Sequence, residues 1–291
     1  MKRKRKIMLF DQPYEYCLSD CDGTLVGSNL ELAKETQKAI KKYQRMSGYR
    51  FGLITGRHPL ANLKLAHELN VQLPIVACNG AVVMDLKLKQ VLFAESIKNA
   101  LALKFFDDAI KLGLEVTVYS PTQMLTTIHN QRIKTWVTYQ KKVKKKYRWD
   151  IILFANNAEL RAAIASEQFA VVEFILRTSG QQETSIQKLF TKYAKLTQNV
   201  QSLPHLYNVT AIGVNKLFGM QKWAEIVKTD YKKIITFGDN YNDLEMISQV
   251  EQGIAVGNAV EALKQVAFKV IEPMSENGVG LELERMIKAK E

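Results

Sequence analysis

A chain of 291 residues, 47% hydrophobic and 24% charged, is long enough for two globular units, and it has no apolar run of the roughly 18–20 residues that cross a bilayer. Lysine and arginine outnumber acids 41 to 29, a formal charge of +12 that favours anionic partners such as nucleic acid, acidic lipid or phosphorylated metabolites. Cys17, Cys21 and Cys78 form an odd set without C-x-x-C spacing, which argues against a disulfide framework or a zinc site and for reduced thiols.

The chain opens on Lys2-Arg3-Lys4-Arg5-Lys6, but the following apolar stretch ends at Asp11 after four residues, too short for a signal peptide. A cytoplasmic protein is therefore expected, with no membrane partner. A second basic block, Lys141, Lys142, Lys144, Lys145, Lys146 and Arg148, reads as solvated surface, because neither block carries the interleaved aromatics of a single-strand binder. No nucleic-acid partner is expected.

The first part alternates strand and helix. Residues 14–19 read as a strand ending in acids, 30–47 as a helix stopped by Gly48, and 50–54 as a second strand. Pro59 opens a helix to about Leu69, where its missing N–H costs little, and residues 74–77 form a third strand. This repetition marks a parallel sheet covered by helices. After Met84 the pattern changes. A hairpin (81–84 with 91–93) leads to a helix over 96–112 with Ser96 as N-cap, a strand over 114–119 and a basic helix over 130–146. Then come a strand over 151–154, a helix over 157–166, a strand over 169–177 and a helix over 184–196. From about Thr210 the first pattern resumes: a helix over 216–228, a strand over 232–237, a helix from Asn242, a strand over 253–256 and helical segments to the end. The expected organisation is an α/β core (1–85 and 206–291) with an inserted α+β domain (86–205).

Polar motifs stand after core strands, where open parallel sheets bind ligands. In Asp20-Cys21-Asp22-Gly23-Thr24 the two aspartates, two residues apart in an extended segment, face one side. One carboxylate can attack phosphorus; the other can protonate the departing alcohol and later take a proton from water. Gly23 leaves room for backbone amides to approach a phosphate, though a solvated Asp-Gly turn has the same composition. Thr55 and Gly56 offer a hydroxyl and close approach; an ordinary strand-to-helix turn would too. Lys216 opens a helix, where ammonium and free N–H groups attract an anion. Asp239 and Asp243, four residues apart, can hold a hard cation such as Mg²⁺, with a helix N-cap from Asn242 or Asp243 as the plainer reading.

Taken jointly and in order, these motifs resemble the haloacid dehalogenase superfamily of phosphohydrolases, and the insertion resembles the type-IIB cap of its Cof-like branch. Cys78-Asn79-Gly80-Ala81, Gly257-Asn258-Ala259 and Asn277-Gly278-Val279 are similar to further signatures of that branch. The resemblance implies a Rossmann-like core with a C2B cap, and a Mg²⁺-dependent phosphatase acting on small phosphorylated metabolites: sugar phosphates, pyridoxal phosphate or flavin mononucleotide. It implies Asp20 as nucleophile and Asp22 as general acid and base. Mg²⁺ would be held by Asp20, the backbone carbonyl of Asp22 and Asp239, with Asp243 in support. Thr55, Lys216 and Asn242 would grip the phosphoryl group, and Arg57 would reach the substrate's other part. Leu217 follows the motif lysine where the family often has glycine, and Cys21 replaces a larger apolar residue. Cys21 reads as a buried hydrophobe. Alternatives are a phosphomutase and a non-catalytic phospho-accepting regulatory domain. In the inserted domain, His129, Arg132 and Trp136 are unranked candidates for substrate contact.

Overall fold

The computed structural model describes residues 15–179 and 182–291; the basic N-terminal block and the expected strand start at Tyr14 lie outside them. β1 (Cys17–Ser19), α1 (Lys34–Ser47), β2 (Phe51–Leu53), α2 (Leu63–Glu68) and β3 (Ile75–Ala77) follow the expected alternation. α1 begins later than its apolar spacing suggested, because Leu32 bridges to Val26 and holds the preceding segment extended. Gly48, at φ 67°, ends it in the left-handed conformation.

β4 (Val82–Asp85) and β5 (Gln90–Ala94) form the expected hairpin, antiparallel to β3. α3 (Asn99–Lys111) is preceded by Lys98 and not capped by Ser96: the Ile97 N–H bonds the Val171 carbonyl and keeps that segment out of the helix. β6 (Glu115–Tyr119) and β7 (Met124–Thr127) come next. α4 (Gln131–Lys142), capped by the Asn130 side chain, stops short of residue 146 because Val143 turns extended and buries its side chain. The lysines beyond it are exposed, as a solvated basic block should be. β8 (Ile151–Phe154), α5 (Asn157–Ala165), β9 (Glu173–Arg177), α6 (Glu183–Tyr193), β10 (Thr197–Leu203) and β11 (Leu206–Ala211) complete the middle of the chain. α7 (Lys216–Val227), β12 (Ile235–Gly238), α8 (Leu244–Ser248), β13 (Gly253–Val256), α9 (Glu261–Val266), β14 (Lys269–Ile271) and α10 (Gly278–Lys288) close it.

Two sheets dominate. The first, in the order β14-β13-β12-β1-β2, is parallel throughout, and β3 joins it by a parallel bridge between Ile54 and Val76. Its central strands are buried along their whole length, as a sheet covered on both faces requires. The second, in the order β10-β11-β9-β6-β7-β8, is antiparallel except for β7 with β8. It is the cap. β11 pairs with β9 and β10, so the expected division at 205/206 falls inside the β10–β11 hairpin, and the division at 85/86 falls inside β4–β5. An apolar seam joins the layers: Ala61, Cys78, Ala81 and Met84 pack with Tyr119, Ile133, Trp136 and Trp149. Among the described residues no helix is long and apolar enough to cross a membrane.

Candidate active site

The register of the parallel sheet builds the site. Ser19 lies opposite both Phe237 and Leu53, so β12, β1 and β2 end level. Asp20 and Asp239 follow the ends of β1 and β12 directly, Thr55 stands two residues past β2, and the Ile54 N–H bonds the Ser19 carbonyl at 2.9 Å. α7 delivers Lys216 in its first turn. Asn215 caps that helix by accepting from the Phe218 N–H, and the close approach of the β3 end to the cap residue is possible because residue 80 is glycine. Gly80 has φ 100°, and a Cβ there would stand 1.9 Å from the Asn215 carbonyl oxygen.

Lys216 is buried and donates to Asp20 Oδ1 at 2.6 Å and to Asp243 Oδ1 at 2.7 Å. The other Asp243 oxygen accepts from the Asp239 and Asn240 N–H groups at 3.0 and 3.1 Å. Asn240, not Asn242 or Asp243, is the N-cap of that turn, with Asp243 answering it in a capping box. Thr24 donates to Asp239 Oδ1 at 2.8 Å. Gly23 (φ 84°) lies so close to Asp239 that a Cβ would overlap its carboxylate at 2.2 Å.

Oxygens of Asp20, Asp239 and Asp243 lie within 4.8 Å of one another. One ammonium faces three carboxylates. Burial raises the Asp20 carboxyl well above its usual range; Lys216 opposes this, and the neighbouring aspartates add to it. Burial and Asp243 push Asp239 up to about 7. Burial alone would depress the Lys216 ammonium, but Asp20 and Asp243 outweigh it and hold it charged. Hard oxygen donors converging with surplus negative charge suit a divalent cation, so the residues present fit a metal.

Asp22 stands apart from this cluster. Its carboxylate, half exposed, is taken bidentately by Arg57, with Nε to Oδ2 at 2.6 Å. Arg57 is buried, its backbone N–H donates to Thr55 Oγ1 at 3.1 Å, and Asp22 keeps its charge secure against burial. The guanidinium expected at the mouth of the site is thus committed to Asp22. Gly56 packs on the Asn79 amide. Cys21 is fully buried with its thiol pushed up to about 12, the inert hydrophobe expected of it.

Toward the cap, two motif residues, Asn242 and Asn79, meet two that the motifs missed, Glu173 and Asn208. Asn242 donates to Asn79 Oδ1 at 2.9 Å; Asn79 in turn donates to Glu173 Oε1 at 2.7 Å, and Asn208 donates to the same oxygen at 2.9 Å. A hydrogen-bonded line therefore runs from the Asn242 loop into β9 and β11. Cys78 and Asn79 both have φ near 50°, and this turn aims Asn79 at the cap. Burial pushes the Glu173 carboxyl up to about 7, against Asn79, Asn208 and Arg132. His58 donates from Nε2 to the Ser120 carbonyl at 3.1 Å, accepts from the Leu60 N–H, and is held neutral by burial down to about pH 3. Trp136 is part of the seam and His129 is exposed.

A family model described as haloacid dehalogenase-like hydrolase matches residues 17–283. The chain belongs to that family. Pyridoxal phosphate phosphatase YbhA of Escherichia coli is 26% identical over 258 residues, 87% of this chain and 91% of its own. Among solved structures, a haloacid dehalogenase-like hydrolase from Bacteroides thetaiotaomicron superposes with a TM-score of 0.78 at 20% identity, covering 94% of this chain and 100% of that one. The subclass IIB sugar phosphatase BT4131 gives 0.75 at 20% identity, covering 94% and 99%. The haloacid dehalogenase-like hydrolase described here is a phosphatase with a parallel-sheet core and an antiparallel cap, the fold it shares with its structural relatives.

Proposed function

We propose that this phosphatase hydrolyses small phosphorylated metabolites through a phosphorylated Asp20, with Mg²⁺ as its metal. The observation that carries the reading is the meeting of Asp20, Lys216, Asp239 and Asp243, residues distant in sequence, in one buried cluster. Asp20 attacks phosphorus, and the bond from phosphorus to the leaving oxygen breaks as Asp22 gives that oxygen a proton. Water then attacks the acyl phosphate, Asp22 takes a proton from it, and phosphate leaves with Asp20 regenerated. Asp22 reaches the leaving oxygen once its side chain parts from Arg57 and takes up a proton from solvent; Arg57 is thus assigned to Asp22 rather than to the substrate. Lys216, Thr55, Asn242 and the backbone beside Gly23 and Gly56 hold the phosphoryl oxygens. Asp20, the Asp22 carbonyl and Asp239 would hold Mg²⁺, with Asp243 behind them. When bound, it would supply positive charge for the phosphoryl oxygens.

Sugar phosphates, pyridoxal phosphate and flavin mononucleotide form the substrate panel, the second supported by YbhA. The test is phosphate release over such a panel, with Asp20→Asn as blank. Release with every turnover in the wild type and none in the variant is expected. Equal release by both removes Asp20 as nucleophile.

A further inference from the structure

Between the core and the β10–β11 hairpin lies a cleft of about 70 Å³ lined by Asn79, Asn208, Thr210, Lys216, Tyr241 and Asn242. Ligand pockets usually measure roughly 300–1,000 Å³. At its present size the cleft admits only a few waters, so a leaving group needs a wider opening between core and cap. Lys216 and Asn242 tie it to the phosphoryl side of the site.

Asn208 is 4% exposed, and its Oδ1 has no hydrogen-bond partner. A buried orphan acceptor costs about 1–3 kcal/mol, so its retention asks for a missing donor. The amide has no freedom to turn over and cure this. Glu173 Oε1 accepts from the Asn208 amide nitrogen and from that of Asn79, while Asn79 Oδ1 is filled by Asn242. Glu173 Oε2 has no hydrogen-bond partner, and Oε1, the oxygen that both amides meet, acts as the acceptor, so the nitrogen end of each amide faces it. The carbonyl end of Asn208 is left for another partner.

Resting on the phosphatase reading above, we propose that Asn208 is a specificity-determining residue, accepting a hydrogen bond from a hydroxyl of the substrate's leaving group. Glu173 is its positioning residue. The leaving group so recognised is neutral and hydroxylated. The charged residues lining the cleft, Lys216 and Glu245, are of both signs and favour no net charge in the group that enters. The cleft's amide and hydroxyl groups suit alcohols.

The experiment compares kcat/KM for sorbitol 6-phosphate and n-hexyl phosphate, two primary-alcohol leaving groups of equal chain length. The wild type is expected to prefer the hydroxylated ester, and Asn208→Leu to lower that preference at least tenfold, about 1.4 kcal/mol. Asn208→Thr, a residue suited to a strand, repeats the measurement should the leucine variant fail to fold. Glu173→Gln keeps an oxygen for both amides and should hold the ratio within about threefold of wild type. Glu173→Leu frees the amide and should lower the ratio as Asn208→Leu does. A parallel fall for both esters, or an unaltered ratio, in the folded Asn208 variants overturns the proposal, as does a wild type with no preference. A wild type that cleaves neither ester nor p-nitrophenyl phosphate sinks the phosphatase reading and this proposal with it.

Discussion

The two sides of the site are made of different chemistry. The core side is ionic: three aspartates and Lys216 crowd the ends of parallel strands, each charge answered by another or left for a cation. Where the core meets the cap the chemistry is mostly amide: Asn242 and Asn79, from core loops, and Asn208 of β11 are linked through one cap carboxylate, Glu173. Phosphoryl transfer needs charge at fixed positions, which rigid strand ends deliver. Choosing a leaving group needs oriented dipoles, which the opposing sheet supplies where the two layers meet.

The sharpest way to break this contrast is Asp20→Asn, which should lower phosphate release by at least about a thousandfold for every substrate, because the nucleophile is shared. A fall confined to some substrates would mean that Asp20 belongs with recognition instead. Removing the metal should abolish turnover across the same panel. Dialysis against a chelator followed by Mg²⁺ titration measures this, and activity that survives chelation contradicts a metal between Asp20 and Asp239.

Smaller effects probe the seam. Trp136→Ala removes a buried indole that packs on Trp149 and Ile133 and should cost about 3 kcal/mol in urea unfolding. A loss below 1 kcal/mol would show the seam to be loosely packed. The smallest concerns His58. Buried and neutral in the fold down to about pH 3, it titrates in the unfolded chain near 6.5, so the unfolded state binds more protons below that pH. Its contribution is fully present above 6.5 and is lost as pH falls towards 3, by about 1 kcal/mol between 6.5 and 5.5. Glu173, pushed up to about 7, has the opposite sign over that range, so the measurement is the stability difference between wild type and His58→Asn. That difference should shrink on acidification; a constant one assigns the imidazole no buried, neutral role.

The amino-acid sequence by itself determined the parallel core and its ionic motifs. Buried strands read as apolar runs, and acids that follow them directly need no tertiary contact to be noticed: Asp20, Thr55 and Asp239 are each placed by the end of their own strand. Only the tertiary structure decided the rest. β7, β10 and β11 were not evident, nor was β14, where only helical segments were expected; β10 escaped because T-Q-N-V-Q-S-L is a half-exposed edge strand with little apolar alternation. Asn79 stood in a recognised segment, but its partners Glu173 and Asn208, 35 residues apart on cap strands, carry no local signal, since a polar residue on a strand acquires its role from whichever group the opposing layer presents. The pairing of Asp22 with Arg57 was equally hidden. A side chain's direction after a strand end depends on what folds against it, and that charge arrives from a different strand.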